Sequence, residues 1–108
     1  MAEVLIGLAE GGGTVTAAPG DSIVVRLDET PTSGYRWGVE TFDPAVLEPV
    51  GDEFTPAADS ALGGGGTHEF RFRVVGTGEA VLRLMRRRSW EAYSPDADAY
   101  EVTIVVDG

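Results

Sequence analysis

Apolar residues recur at every second position in run after run of this chain. Ile23, Val25 and Leu27 alternate with Val24, Arg26 and Asp28; Phe70, Phe72 and Val74 alternate with Glu69, Arg71 and Arg73. Ala80, Leu82 and Leu84 follow the same rule, as do Tyr35, Trp37 and Val39, and at the end Tyr100, Val102, Ile104 and Val106. A period of two places each apolar set on one face of a strand. No segment of helical length carries a period of 3.6. Turn signals separate the runs. Pro19-Gly20-Asp21 is one, and Gly76-Thr77-Gly78 reads as a tight hairpin connection. Shorter strands are expected at 4–8 and at Thr14-Val15-Thr16. The stretch from Phe42 to Leu47 reads as a turn or a single helical turn leading into a strand over 47–54. Residues 55–66 and 86–97 read as irregular loops. Short alternating strands with turns between them predict an all-β, antiparallel β-sandwich without an internal boundary, one domain over residues 1–108.

Composition removes several kinds of function. With 108 residues and 43% hydrophobic content the chain can build a single core. It has no cysteine, which excludes disulfides and thiol chemistry, and one histidine, His68, which excludes zinc sites built on several His or Cys. No glycine-flanked serine elbow accompanies that histidine. The net charge is −10, and all basic residues are arginines. This balance opposes nucleic acid and anionic membranes as partners, and the acidity itself reads as solubility. No apolar run approaches membrane-spanning length. Met1-Ala2-Glu3-Val4 lacks a basic segment followed by an apolar stretch. No signal peptide is therefore expected, which leaves a cytoplasmic protein or a secreted or periplasmic mature form without its leader.

Three segments between strands are chemically unusual. In Thr30-Pro31-Thr32-Ser33-Gly34-Tyr35, Pro31 fixes its own φ and biases Thr30 towards an extended conformation. Gly34 permits the turn into the next strand, and Thr32 and Ser33 present hydroxyls from a stiff tip. Gly63-Gly64-Gly65-Gly66 exposes backbone and lets another surface approach, or serves as a flexible linker. It is no phosphate loop, because neither a Lys-Ser/Thr pair nor a helix follows. In Arg88-Ser89-Trp90 the tryptophan lies outside any alternating run, so it is either tucked onto the sandwich edge or exposed as a binding anchor. Trp37, by its alternation with Tyr35 and Val39, belongs to the core.

Taken together and in order, these segments resemble the motifs of the chagasin-type inhibitors of papain-like cysteine peptidases. Thr-Pro-Thr-Ser-Gly-Tyr is similar to that family's Asn-Pro-Thr-Thr-Gly-Tyr motif. The glycine run before Phe70-Arg71-Phe72 is similar to its Gly-x-Gly-Gly loop, and Arg88-Ser89-Trp90 to its Arg-Pro-Trp motif. Thr30, Ser33 and Ser89 depart from the family pattern: Thr30 in place of asparagine weakens a loop-holding hydrogen bond, and Ser89 in place of proline leaves the third loop less pre-ordered.

The resemblance implies an immunoglobulin-like sandwich whose three loops lie side by side and enter a peptidase cleft. The peptidase-binding residues would be Thr30, Pro31, Thr32, Ser33, Gly34 and Tyr35 in the centre, Gly63, Gly64, Gly65 and Gly66 on one flank, and Arg88, Ser89 and Trp90 on the other. Thr32 and Ser33 would lie near the catalytic Cys and His of the peptidase. No catalytic residue, metal site or cofactor is expected, and the expected state is a monomer. The alternative is an Ig-like adhesion or glycan-binding module, with Trp90, Tyr93 and Tyr100 stacking on sugar rings. An enzyme is disfavoured because no nucleophile, base and orienter occur as a set. Asp96 and Asp98 match no EF-hand spacing and read as a solvated loop.

Overall fold

The computed structural model describes residues 2–29, 35–56, 65–88 and 98–107. Its strands are β1 (Glu3–Ile6), β2 (Thr14–Ala17), β3 (Ser22–Glu29), β4 (Tyr35–Thr41), β5 (Leu47–Pro56), β6 (Gly66–Val74), β7 (Gly78–Arg88) and β8 (Asp98–Val106), with a short 3-10 turn at Leu8–Glu10. Among the described residues two four-stranded sheets form, ordered β1-β3-β6-β5 and β2-β8-β7-β4. Packed face to face, they make the sandwich that the alternation predicts, of the immunoglobulin-like kind that the family resemblance implies.

The alternating sets become the core, except that Val39, expected on the inner face with Trp37, is 37% exposed. Ile23, Leu47, Leu82, Leu84 and Ile104 have no exposure, and Phe72, Val74 and Val102 have almost none. All but Leu47, which opens the otherwise largely exposed β5, come from the in-phase half of an alternating run, so the two inner faces meet through aliphatic and aromatic side chains. The outer face of the first sheet carries an ionic lattice instead. Arg71 reaches Glu3 at 2.9 Å and Glu69 at 3.1 Å, while Arg26 reaches Glu69 at 2.9 Å. These pairs are exposed and contribute little stability individually.

Three features differ from the sequence expectation. The pairing is antiparallel except at two edges, where β1 runs parallel to β3 and β2 parallel to β8. Alternation fixes a strand's faces but carries no information about its neighbour's direction. The turn at Gly76-Thr77-Gly78 is no hairpin: β6 and β7 belong to different sheets, so the chain crosses the sandwich there. Gly78 takes φ +120, a conformation that suits glycine. The 3-10 turn cuts the first strand short at Ile6, and Glu10 closes it by accepting the Gly7 N–H at 2.6 Å.

At the open edge of the first sheet, β5 carries Pro49 and a bulge between Pro49 and Gly51. Proline cannot donate to a ladder and is tolerated at such an edge. The same irregularity discourages pairing with a second molecule.

Candidate functional site

The strand ends flanking the three unusual segments converge. In the first sheet the last paired residue of β3, Glu29, faces Gly66, which also faces Pro56. In the second sheet Tyr35 pairs with Arg88, and Arg86 pairs with Asp98. The two groups are joined across the sandwich. The Trp37 backbone N–H donates to Glu29 Oε2 at 2.7 Å, and the Trp37 indole N–H donates to the Asp28 carbonyl at 2.9 Å. The chain therefore leaves and re-enters the sandwich three times at one end, between β3 and β4, β5 and β6, and β7 and β8.

Of the residues singled out from sequence, Tyr35, Gly65, Gly66 and Arg88 have a described backbone. Thr30, Pro31, Thr32, Ser33, Gly34, Gly63, Gly64, Ser89 and Trp90 lie outside the described residues, as do Tyr93 and Asp96. Tyr35 and Arg88 are brought together as the terminal pair of their ladder.

Several boundaries move: β5 runs on to Pro56, and Asp98, expected in a solvated loop, opens β8. Gly66, expected within a loop, opens β6. A Cβ there would run into the Thr55 carbonyl and lie 2.7 Å from Pro56 Cα and 2.8 Å from the Phe54 ring. Its glycine thus allows a close backbone approach rather than loop freedom. The polar run at Arg86 also remains strand, because β7 continues to Arg88 and β8 begins at Asp98. The Arg86 guanidinium lies 5.4 Å from the centre of the Trp37 ring, so a cation lies over the aromatic. Trp37 itself is buried, as its alternation predicts.

Directly under this end runs a charged chain. Glu29 is 1% exposed and His68 is 5% exposed. His68 Nδ1 lies 2.9 Å from Glu29 Oε2, and His68 Nε2 lies 2.6 Å from Asp52 Oδ2. Arg36 Nε donates to Glu29 Oε1 at 3.2 Å. The imidazole stacks on Phe70 with ring centres 4.1 Å apart. Burial pushes the Glu29 carboxyl up, but His68, the Trp37 amide and Arg36 together hold it below the ordinary carboxylate value. Sequence reading missed this group, although the signal was present. Glu29 continues the inward phase of Ile23, Val25 and Leu27, and His68 that of Phe70, Phe72 and Val74.

The same geometry bears on chemistry. A hydrolytic histidine keeps one ring nitrogen for its nucleophile. Here carboxylates engage both, so neither nitrogen is free to take a proton from a hydroxyl. Among the described residues no cluster of His, Asp or Glu is arranged to hold a metal ion. Tyr100, offered from sequence as a sugar-stacking surface, is 2% exposed, and its hydroxyl donates to the Gly7 carbonyl at 2.7 Å. It is a core residue, which weakens the glycan-binding alternative.

A sandwich of this kind gathers three connections between strands at one end. Residues 16–104 match the family model described as Chagasin family peptidase inhibitor I42. The chain belongs to that family and is an inhibitor rather than an enzyme. It is 29% identical to chagasin of Trypanosoma cruzi over 98 residues, covering 87% of this chain and 89% of that one. It is 30% identical to amoebiasin-1 of Entamoeba histolytica over 96 residues, covering 87% and 88%. Among solved structures, the cysteine protease inhibitor EhICP2 of Entamoeba histolytica shares the fold with a TM-score of 0.85 at 18% identity, over 98% of this chain and 96% of that one.

Proposed function

We propose that this inhibitor acts reversibly and competitively on papain-family cysteine peptidases, as one domain spanning residues 1–108 and as a monomer. The segment from Thr30 through Tyr35 would occupy the centre of the cleft, with Gly63, Gly64, Gly65 and Gly66 on one side and Arg88, Ser89 and Trp90 on the other. The observation that carries this reading is the convergence of the three pairs of strand ends at one end of the sandwich, clamped across the sheets by Glu29 and Trp37. Membership of the chagasin family and the three motifs, in the family's order, support it.

The physics suits inhibition without chemistry. Segments anchored at both ends by ladders and buried hydrogen bonds lose less entropy on docking than free loops. A Pro31-stiffened tip can cover a nucleophile without offering an extended scissile bond. Steady-state kinetics with papain test the reading. Rising inhibitor should increase the apparent KM at constant kcat, and a serine peptidase should be unaffected. Absence of inhibition at micromolar inhibitor would overturn it.

A further inference from the structure

The buried chain under the functional end does more than fill space. Glu29 is the residue from which the chain departs towards Thr30, and His68 stands two residues after Gly66, where the chain returns from the second loop. Their contact therefore fastens the base of the first loop to the base of the second. Through the Trp37 amide and Arg36, Glu29 also holds the far base of the first loop, on the other sheet.

The protonation requirement follows from donor counting. An ionised carboxylate only accepts hydrogen bonds, and a neutral imidazole has one N–H, whereas an imidazolium has two. Glu29 and Asp52 stand against opposite ring nitrogens at 2.9 and 2.6 Å. Both contacts are hydrogen bonds only when the ring carries both protons. Removing either proton sets a lone pair against a carboxylate oxygen in a site closed to water on the Glu29 side.

The surrounding charges are Glu29 from β3, Asp52 from β5 and Arg36 from β4, the last acting through Glu29. From β7, Arg86 lies over the Trp37 ring. On the strand of His68 itself, Phe70 stacks on the ring, while Glu69 is engaged by Arg26 and Arg71 on the outer face.

We propose that Glu29 and His68 are positioning residues for the inhibitory loops, and that affinity for the peptidase falls as the His68 ring loses its second proton. The proposal rests on the inhibitor reading above and adds a regulation of that same site. Histidine as a residue type ordinarily changes charge between about pH 5 and pH 8, which sets the range to test.

Two measurements test it, and they separate its failure from that of the inhibitor reading. The first is nitrogen-15 NMR of the free protein, where the single histidine leaves no ambiguity of assignment. Both ring nitrogens should be protonated at low pH, and the backbone amides of Glu29, Trp37 and Gly66 should shift with the ring. A ring that titrates while those amides stay still overturns the proposal, whether or not the protein inhibits anything.

The second is the inhibition constant against papain across about pH 5.5 to 8, compared between wild type and His68→Gln. The ratio of the two constants cancels the pH dependence of the peptidase itself. His68→Gln should be weaker by about tenfold at the acid end and converge on wild type at the alkaline end. A ratio that does not change with pH overturns the proposal. Should His68→Gln fail to fold, Asp52→Asn gives the same reading from a half-exposed partner, with a smaller ratio that narrows as pH rises. Normal NMR coupling with no inhibition at any pH would sink the inhibitor reading and the affinity claim together, leaving only a clamp between two loop bases.

Discussion

Strand β3 is flanked by two buried carboxylates, Asp21 just before it and Glu29 at its last position, and the two are held by different chemistry. Asp21 is gripped by backbone. Its Oδ1 accepts the Ala2 N–H and its Oδ2 the Ala18 N–H, each at 2.9 Å, while its own carbonyl accepts the Val74 N–H at 2.8 Å. Amides do not titrate, and the Ala18 and then the Ala2 contact hold this carboxyl below its ordinary value. Glu29 shares one backbone donor, Trp37, but its other partners are His68 and Arg36. The partners of Asp21 are backbone amides alone, whereas those of Glu29 include the imidazole of His68. The loops emerge at the Glu29 end.

Both carboxyls have lowered folded values, so each contributes stability above its ordinary value, 3.8 for Asp21 and 4.5 for Glu29, and that contribution is lost as pH falls through the lowered one. The ends should differ in what else is lost. Glu29→Ala leaves His68 and Arg36 without their shared buried acceptor and should cost about 3 kcal/mol in denaturant melts, the low end for breaking a buried ion pair because Asp52 remains. Inhibition should weaken with it. Asp21→Ala should destabilise by less and leave the inhibition constant unchanged. Equal loss of inhibition in both variants would erase the distinction between the ends.

The contrast sharpens further if affinity can be lost at the loop end without touching stability. On the inhibitor reading, Trp90→Ala should weaken inhibition by about 2 kcal/mol, the scale of an interface hot spot. The melting temperature should match wild type. An unchanged inhibition constant in a folded variant would remove Trp90 from the interface and leave Glu29 and His68 supporting a site that depends on other side chains.

How much of this was legible in the sequence depends on the kind of signal involved. Faces were mostly legible, because a period of two tracks burial: Ile23, Phe72, Leu84 and Ile104 were placed inward and are buried, whereas Val39 was placed inward and is exposed, and Val24 was placed outward and is buried. Sheet membership was not. Gly76-Thr77-Gly78 looks the same whether the chain turns within a sheet or crosses to the other. Polarity misled twice. Arg86 was read as loop because it is charged, yet the Trp37 ring gives it a place on a strand. Glu29 and His68 were passed over as polar ends of apolar runs. Their partners lie 39 and 16 residues away in sequence, beyond any local pattern. The loop motifs were legible only as a set, since each is short and their meaning comes from adjacency that the fold creates.

Tyr100 gives the finest test, since it also ties the sheets near the loop end but through a neutral bond. Its hydroxyl, on β8, donates at 2.7 Å to the Gly7 carbonyl, which follows β1 in the other sheet. Burial, with a smaller push from Glu10, raises its pKa from 10.0 to about 12. A raised value means the neutral form is favoured by folding. The contribution is therefore complete below 10.0 and is lost as pH climbs through about 12. Tyr100→Phe removes the bond while keeping the ring, and should cost about 1 kcal/mol at neutral pH. Denaturant melts of the variant should also lose the part of the alkaline decline that wild type shows in that window. Identical alkaline curves would show that the Tyr100 hydroxyl does not govern that decline. Because its state is fixed from acid to neutral pH, Tyr100→Phe should leave the pH profile of inhibition as it is in wild type. A profile altered as much as that of His68→Gln would mean that any tie near the loops, charged or neutral, tunes the site, and the special standing of the Glu29 end would be lost.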